Sequence, residues 1–210
     1  MLHTEFIPAA EQSSRRVCVV LHGLGDSLDG WRWLPSALAL PWLNYVLVNA
    51  PDEYYGGWSW FDYPGPIAPG IHRSRKLLVE LLDDLRARGF PADQITLGGL
   101  SQGCLMSLET GLHYPHRLAG IVGLSGWVFE IDALIRDLTP VARSQRLLIT
   151  HGRFDPLLPF AEAQRQVRQL QAAGLHVAWH EFPKEHTIYG AEEVAVVRDF
   201  VRAGYGVVDP

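Results

Sequence analysis

At 210 residues the chain has the length of one domain, and 48% hydrophobic against 20% charged residues is enough to bury a sizeable core. A formal charge of −5, with no run of Lys or Arg, gives no electrostatic basis for nucleic-acid binding. Met1-Leu2-His3-Thr4-Glu5 lacks a signal-peptide layout, no apolar stretch approaches the ~20 residues of a membrane span, and two distant cysteines, Cys18 and Cys104, make no disulfide framework. The expectation is a cytoplasmic protein with no stable membrane anchor.

Arg16-Val17-Cys18-Val19-Val20-Leu21 is almost wholly apolar and stops at His22-Gly23, which predicts a strand buried on both faces. Similar runs follow at 45–49, 94–97, 118–124, 146–150 and His176–Phe182. Helical spacing fills the gaps. Leu78, Leu81, Leu82 and Leu85 form a stripe that Gly89-Phe90-Pro91 ends. A short pattern follows at Ile131, Leu134, Ile135 and Leu138, then Ala163, Val167 and Leu170 run to Gly174, and Val194, Val197 and Phe200 towards Gly204. This alternation predicts the α/β class, a mostly parallel sheet with helices on both faces, as a single domain over 1–210. Functional groups are then expected at the carboxyl ends of the strands.

Those ends carry the informative motifs. Gly99-Leu100-Ser101-Gln102-Gly103 follows a predicted strand and precedes the helical pattern of Leu105, Met106 and Leu108. A serine raised on such a turn needs small neighbours, and its hydroxyl meets the N–H groups of a helix start. It becomes nucleophilic only beside a base, and the base needs an orienting acid. On the hydrolase chain order of Ser, acid, His, Asp155 in His151-Gly152-Arg153-Phe154-Asp155-Pro156 is the expected acid. Of nine histidines, only His186 is both late enough and in a strand-end loop, so it is the expected base. The backbone N–H of Gln102 and of Leu24, in His22-Gly23-Leu24-Gly25-Asp26, are the expected oxyanion donors. That loop is no dinucleotide fingerprint, because Leu28 stands where a third glycine belongs.

Together, Leu21-His22-Gly23-Leu24-Gly25-Asp26-Ser27, Val48-Asn49-Ala50-Pro51, Trp58-Ser59-Trp60-Phe61-Asp62, Gly98-Gly99-Leu100-Ser101-Gln102-Gly103, Leu124-Ser125-Gly126-Trp127 and His151-Gly152-x-x-Asp155-Pro156 resemble the phospholipase/carboxylesterase family of α/β-hydrolases. That family includes acyl-protein thioesterases and small bacterial carboxylesterases. The resemblance implies the triad Ser101, Asp155 and His186, with Leu24 and Gln102 at the oxyanion. Glu185 departs from the family's usual glycine before the histidine, and the stretch between Pro51 and Trp58 looks short.

About twenty residues separate the fourth and fifth of these apolar strands, too few for a cap, so an α/β-hydrolase fold without a cap domain and with an open site is expected. Trp58, Trp60, Phe61 and Tyr63 crowd one strand-end loop and Leu157, Leu158 and Phe160 follow the acid, so these apolar groups at the catalytic edge are the expected acyl-binding residues, Trp58, Trp60, Phe61 and Leu157 foremost. The expected activity is that of a serine carboxylesterase or acyl thioesterase, lysophospholipase action included, working through an acyl-enzyme with no cofactor and no metal. S-acylated proteins and lysophospholipids fall within its substrate class. A peptidase or amidase with the same triad, and a non-catalytic binding module on this scaffold, remain open alternatives. Oligomeric state is open too, a homodimer included.

Overall fold

A computed structural model of the chain describes residues 1–206, so the last four positions of the expected domain lie outside the described residues. In chain order the strands are β1 (Thr4–Ile7), β2 (Arg16–Leu21), β3 (Leu43–Val48), β4 (Asp52–Tyr54), β5 (Gly57–Ser59), β6 (Ile95–Leu100), β7 (Gly120–Leu124), β8 (Arg146–Gly152) and β9 (His176–Phe182). Seven form one sheet in the order β1-β3-β2-β6-β7-β8-β9, all parallel except β1, which runs antiparallel to β3. β4 and β5 make a separate hairpin.

The helices are α1 (Leu34–Leu38), α2 (Ile67–Ala87), α3 (Gln102–His113), α4 (Ile131–Arg136), α5 (Pro140–Arg143), α6 (Phe160–Ala172) and α7 (Gly190–Gly204). Strand side chains alternate in direction, and in β2, β3, β6, β7 and β8 both directions are buried. β9, expected to be such a run, is largely exposed or half-buried because it is an edge strand. Val17, Val19 and Leu21 of β2 join a core with Ile71 and Leu78 of α2, Leu105 of α3 and Leu170 of α6. Cys18 and Val20 point the other way, into a second core with Leu34 and Leu38 of α1 and Val197 and Val201 of α7. The result is three layers, helix on sheet on helix.

Several expected boundaries move: β3 lies over Leu43–Val48, β7 begins at Gly120 and β8 runs on to Gly152. β6 runs on through Gly98 and Gly99, because the sheet is tight there: a Cβ on Gly98 would come within 2.9 Å of Val122 Cβ. α2 starts at Ile67, well ahead of its leucine stripe, and Ser74 sits on its buried face with its hydroxyl donated to Trp60 O at 2.5 Å. The segment between β7 and β8 holds only α4 and α5, and Ile131 and Leu134 of α4 are spent on the core.

Candidate active site

Ser101 stands between β6 and α3 with φ +56° and ψ −116°. A non-glycine residue rarely holds such a backbone, and its neighbours show why it is held. A Cβ on Gly99 would lie 2.5 Å from Leu21 O, and one on Gly103 would lie 2.2 Å from the same atom. Only glycine lets β6, β2 and α3 close on one another there. The Ser101 N–H donates to Leu124 O at 2.9 Å, fixing the turn against β7. Gln102 opens α3, so its N–H has no partner within the helix.

Asp155 leaves the end of β8 and His186 the end of β9. His186 Nδ1 lies 2.7 Å from Asp155 Oδ2, while Asp155 Oδ1 accepts the N–H of Leu157 and of Leu158, each at 2.9 Å. Burial pushes the Asp155 pKa up. The donors from Leu158, His186 and Leu157, with the charge of His186, outweigh that and hold it below the ordinary aspartate value. An ionised Asp155 places the His186 proton on Nδ1 and leaves Nε2 as an acceptor, the tautomer a base requires.

The His22–Asp26 loop is fixed by His22, whose Nε2 accepts the Ala50 N–H at 3.1 Å. Nδ1 must then carry the proton, which it donates to Gly23 O at 2.6 Å. Burial depresses the His22 pKa, so the ring stays neutral. Leu24 lies in the turn that follows, and no acceptor among the described residues engages its N–H.

A cleft of about 380 Å³ joins these groups, lined by Gly23, Leu24, Asp26, Tyr63, Leu100, Ser101, Gln102, Trp127, Leu157, Leu158 and His186. Ser101, His186, Leu24, Gln102 and Leu157 therefore share one cavity, and Asp155 backs it. Trp58, Trp60, Phe61 and Phe160 do not line it, contrary to expectation. Trp60 and Phe61 are fully buried in the core, and Trp58 lies in β5, packed against that core.

Their polar atoms explain the placement. Trp60 Nε1 donates to His22 O at 2.9 Å, the Gly25 N–H donates to Trp58 O, and the Trp58 N–H donates to Asp26 O, both at 2.9 Å. The side chain of Gln102 accepts the Trp60 N–H at 3.0 Å and donates to Phe61 O at 3.1 Å. The aromatic segment thus braces the Leu24 loop and the start of α3 from behind. Phe61 also meets Trp127 edge-on, with ring centroids 6.1 Å apart.

Sequence reasoning missed Trp127 as a lining residue, although it ends the motif Leu124-Ser125-Gly126-Trp127. It also missed His151, which is buried behind Asp155 with Nε2 2.9 Å from Leu158 O. Among the described residues, no cluster of His, Cys, Asp and Glu could hold a metal ion, and no helix is long and apolar enough to cross a membrane.

A family model described as phospholipase/carboxylesterase matches residues 2–204. The chain is 38% identical to acyl-protein thioesterase 1 of Schizosaccharomyces pombe over 158 residues, covering 67% of this chain and 69% of that protein. Among solved structures it is similar to esterase PE8, with a TM-score of 0.87 and 26% identity over 96% of this chain and 98% of that one. It is also similar to acyl-protein thioesterase 2 of Zea mays, with a TM-score of 0.80 and 26% identity over the same shares.

Proposed function

The chain belongs to the phospholipase/carboxylesterase family, and on that premise we propose Ser101 as its nucleophile, His186 as its base and Asp155 as the group that orients the base. The protein is a serine hydrolase of carboxylic esters and thioesters, with the α/β-hydrolase fold. The observation that carries the site assignment is the 2.7 Å contact from His186 Nδ1 to Asp155 Oδ2, on the wall of the cleft that also holds Ser101.

In this reading His186 Nε2 takes the Ser101 Oγ proton as Oγ attacks the acyl carbonyl carbon. The oxyanion receives the N–H groups of Leu24 and Gln102, which face a charge that exists only in the tetrahedral species. The C–O or C–S bond to the leaving group then breaks, and His186 returns the proton to the alkoxide or thiolate. Water repeats the sequence on the acyl-enzyme, releasing the acid and free Ser101.

Leu24, Leu100, Trp127, Leu157 and Leu158 give the cleft an apolar wall, which suits an acyl chain. Tyr63 and Leu157 are 58% and 68% exposed, so the leaving group emerges at an open rim. Small esters, lysophospholipids and S-acylated proteins can all present an acyl carbonyl in that way. The free, buried Cys18 and Cys104 support a cytoplasmic location.

Values of kcat/KM for p-nitrophenyl esters from acetyl to palmitoyl, beside a matched acyl thioester, test the reading. Esters and thioesters should both be cleaved, with apolar acyl chains preferred over acetyl. Folded Ser101→Ala should lose several orders of magnitude, about 10⁶-fold being the scale for a triad serine. Substantial turnover by folded Ser101→Ala would refute the assignment.

A further inference from the structure

We propose that Glu193, through its buried contact with Lys184, is a positioning residue for His186, holding both ends of the loop that carries it. The proposal rests on the assignment of His186 as the base.

Glu193 lies in the first turn of α7 and is wholly buried, and Lys184 is 4% exposed. Glu193 Oε1 accepts from Lys184 Nζ at 2.6 Å and from the hydroxyl of Thr150. Oε2 accepts from the same Nζ at 2.8 Å and from the Tyr189 N–H at 2.6 Å. Lys184 precedes His186 in the loop and Tyr189 follows it, while Thr150 lies in β8, the strand that delivers Asp155. One carboxylate therefore ties the entry of the loop, its exit and the neighbouring strand.

The backbone repeats the link. The Phe154 N–H, next to Asp155, donates to Lys184 O at 3.1 Å. A Cβ on Gly152 would come within 2.3 Å of that oxygen, so β8 and the loop lie in close contact. The side chain of Lys184 reaches Glu193 while its carbonyl reaches the acid's loop. Burial lowers the Lys184 pKa, and the charges of Glu193 and Asp155 oppose that shift, which places the ammonium in the field of both carboxylates.

Stability alone is a weak reason for such a pair, because two packed apolar residues commonly stabilise a core as well. Directional bonds to a loop are what apolar residues do not supply. A catalytic loop needs them, since a base displaced by about 1 Å costs roughly 10² in rate.

The test is a double-mutant cycle on ester hydrolysis. Glu193→Gln keeps the size of the side chain and removes its charge. In the otherwise wild-type enzyme it should lower kcat by roughly 10²-fold, with KM changed less than about two-fold. In a His186→Ala background it should change the residual rate by less than about three-fold, because the group it positions is gone.

Equal losses in both backgrounds, or no loss in the first, would overturn the proposal. Full activity of His186→Ala alone would instead refute the base assignment, and the proposal with it. Should Glu193→Gln fail to fold, Lys184→Met/Glu193→Leu removes both charges together and leaves none unpaired. That double variant should fold and show the same loss of kcat, and a wild-type kcat would overturn the proposal.

Discussion

Ser101 keeps its φ of +56° because glycines on either side let three backbones meet beneath it. That device was legible in the sequence, since Gly-x-Ser-x-Gly between an apolar run and a helical stripe has few other uses. Asp155 and His186 were legible through chain order. His151 was not, because what its ring faces depends on where the loop to Leu158 folds back.

Burial depresses the pKa of both His22 and His151. Both rings are therefore neutral in the fold. As pH falls below the ordinary value of 6.5, the unfolded chain binds protons that the folded chain refuses, so stability drops. Above that value the two rings contribute no slope. Asp155 acts in a lower window. Its depressed pKa adds stability above about 3.8, which is lost as pH falls through the folded-state value. Thermal midpoints between pH 7.5 and pH 5 should decline in the wild type. They should decline less in His151→Gln, which cannot protonate. An unchanged slope would show that His151 protonates equally in both states.

Among elements, the strands buried on both faces were plain in the sequence because their apolar runs are continuous. β1 was not, since Thr4-Glu5-Phe6-Ile7 alternates exposed with half-buried residues at a sheet edge. The β4–β5 hairpin was missed because each arm has three residues, too few for a period to show. The segment after it was noticed for its aromatic residues, yet its place in the core follows from hydrogen bonds that composition does not encode.

A separation of roles follows. Trp60→Phe deletes the donor to the buried His22 carbonyl and should cost about 1–3 kcal/mol of stability. It should leave the ratio of kcat/KM between long and short acyl esters unchanged. Leu157→Ala removes an exposed wall of the cleft, so it should lower that ratio several-fold at little cost in stability. Chemical denaturation together with the two-ester ratio checks both variants. A shifted ratio in Trp60→Phe would place Trp60 in contact with substrate after all.

At the scale of the whole molecule, the parallel sheet does the assembling. β2, β6, β8 and β9 each end at the same edge, so residues far apart in the chain reach one cleft without any long loop. The short segment between β7 and β8 leaves that edge uncovered, and the open rim at Tyr63 and Leu157 follows from it. The central claim is a covalent one, that an acyl group passes through Ser101. Intact-mass and peptide mass spectrometry of protein quenched during turnover of a slow acyl ester tests it most directly. The account predicts a mass increase equal to the acyl group, located on the peptide containing Ser101 and absent from Ser101→Ala. An adduct on any other residue, or turnover in which Ser101 is never acylated, would contradict it.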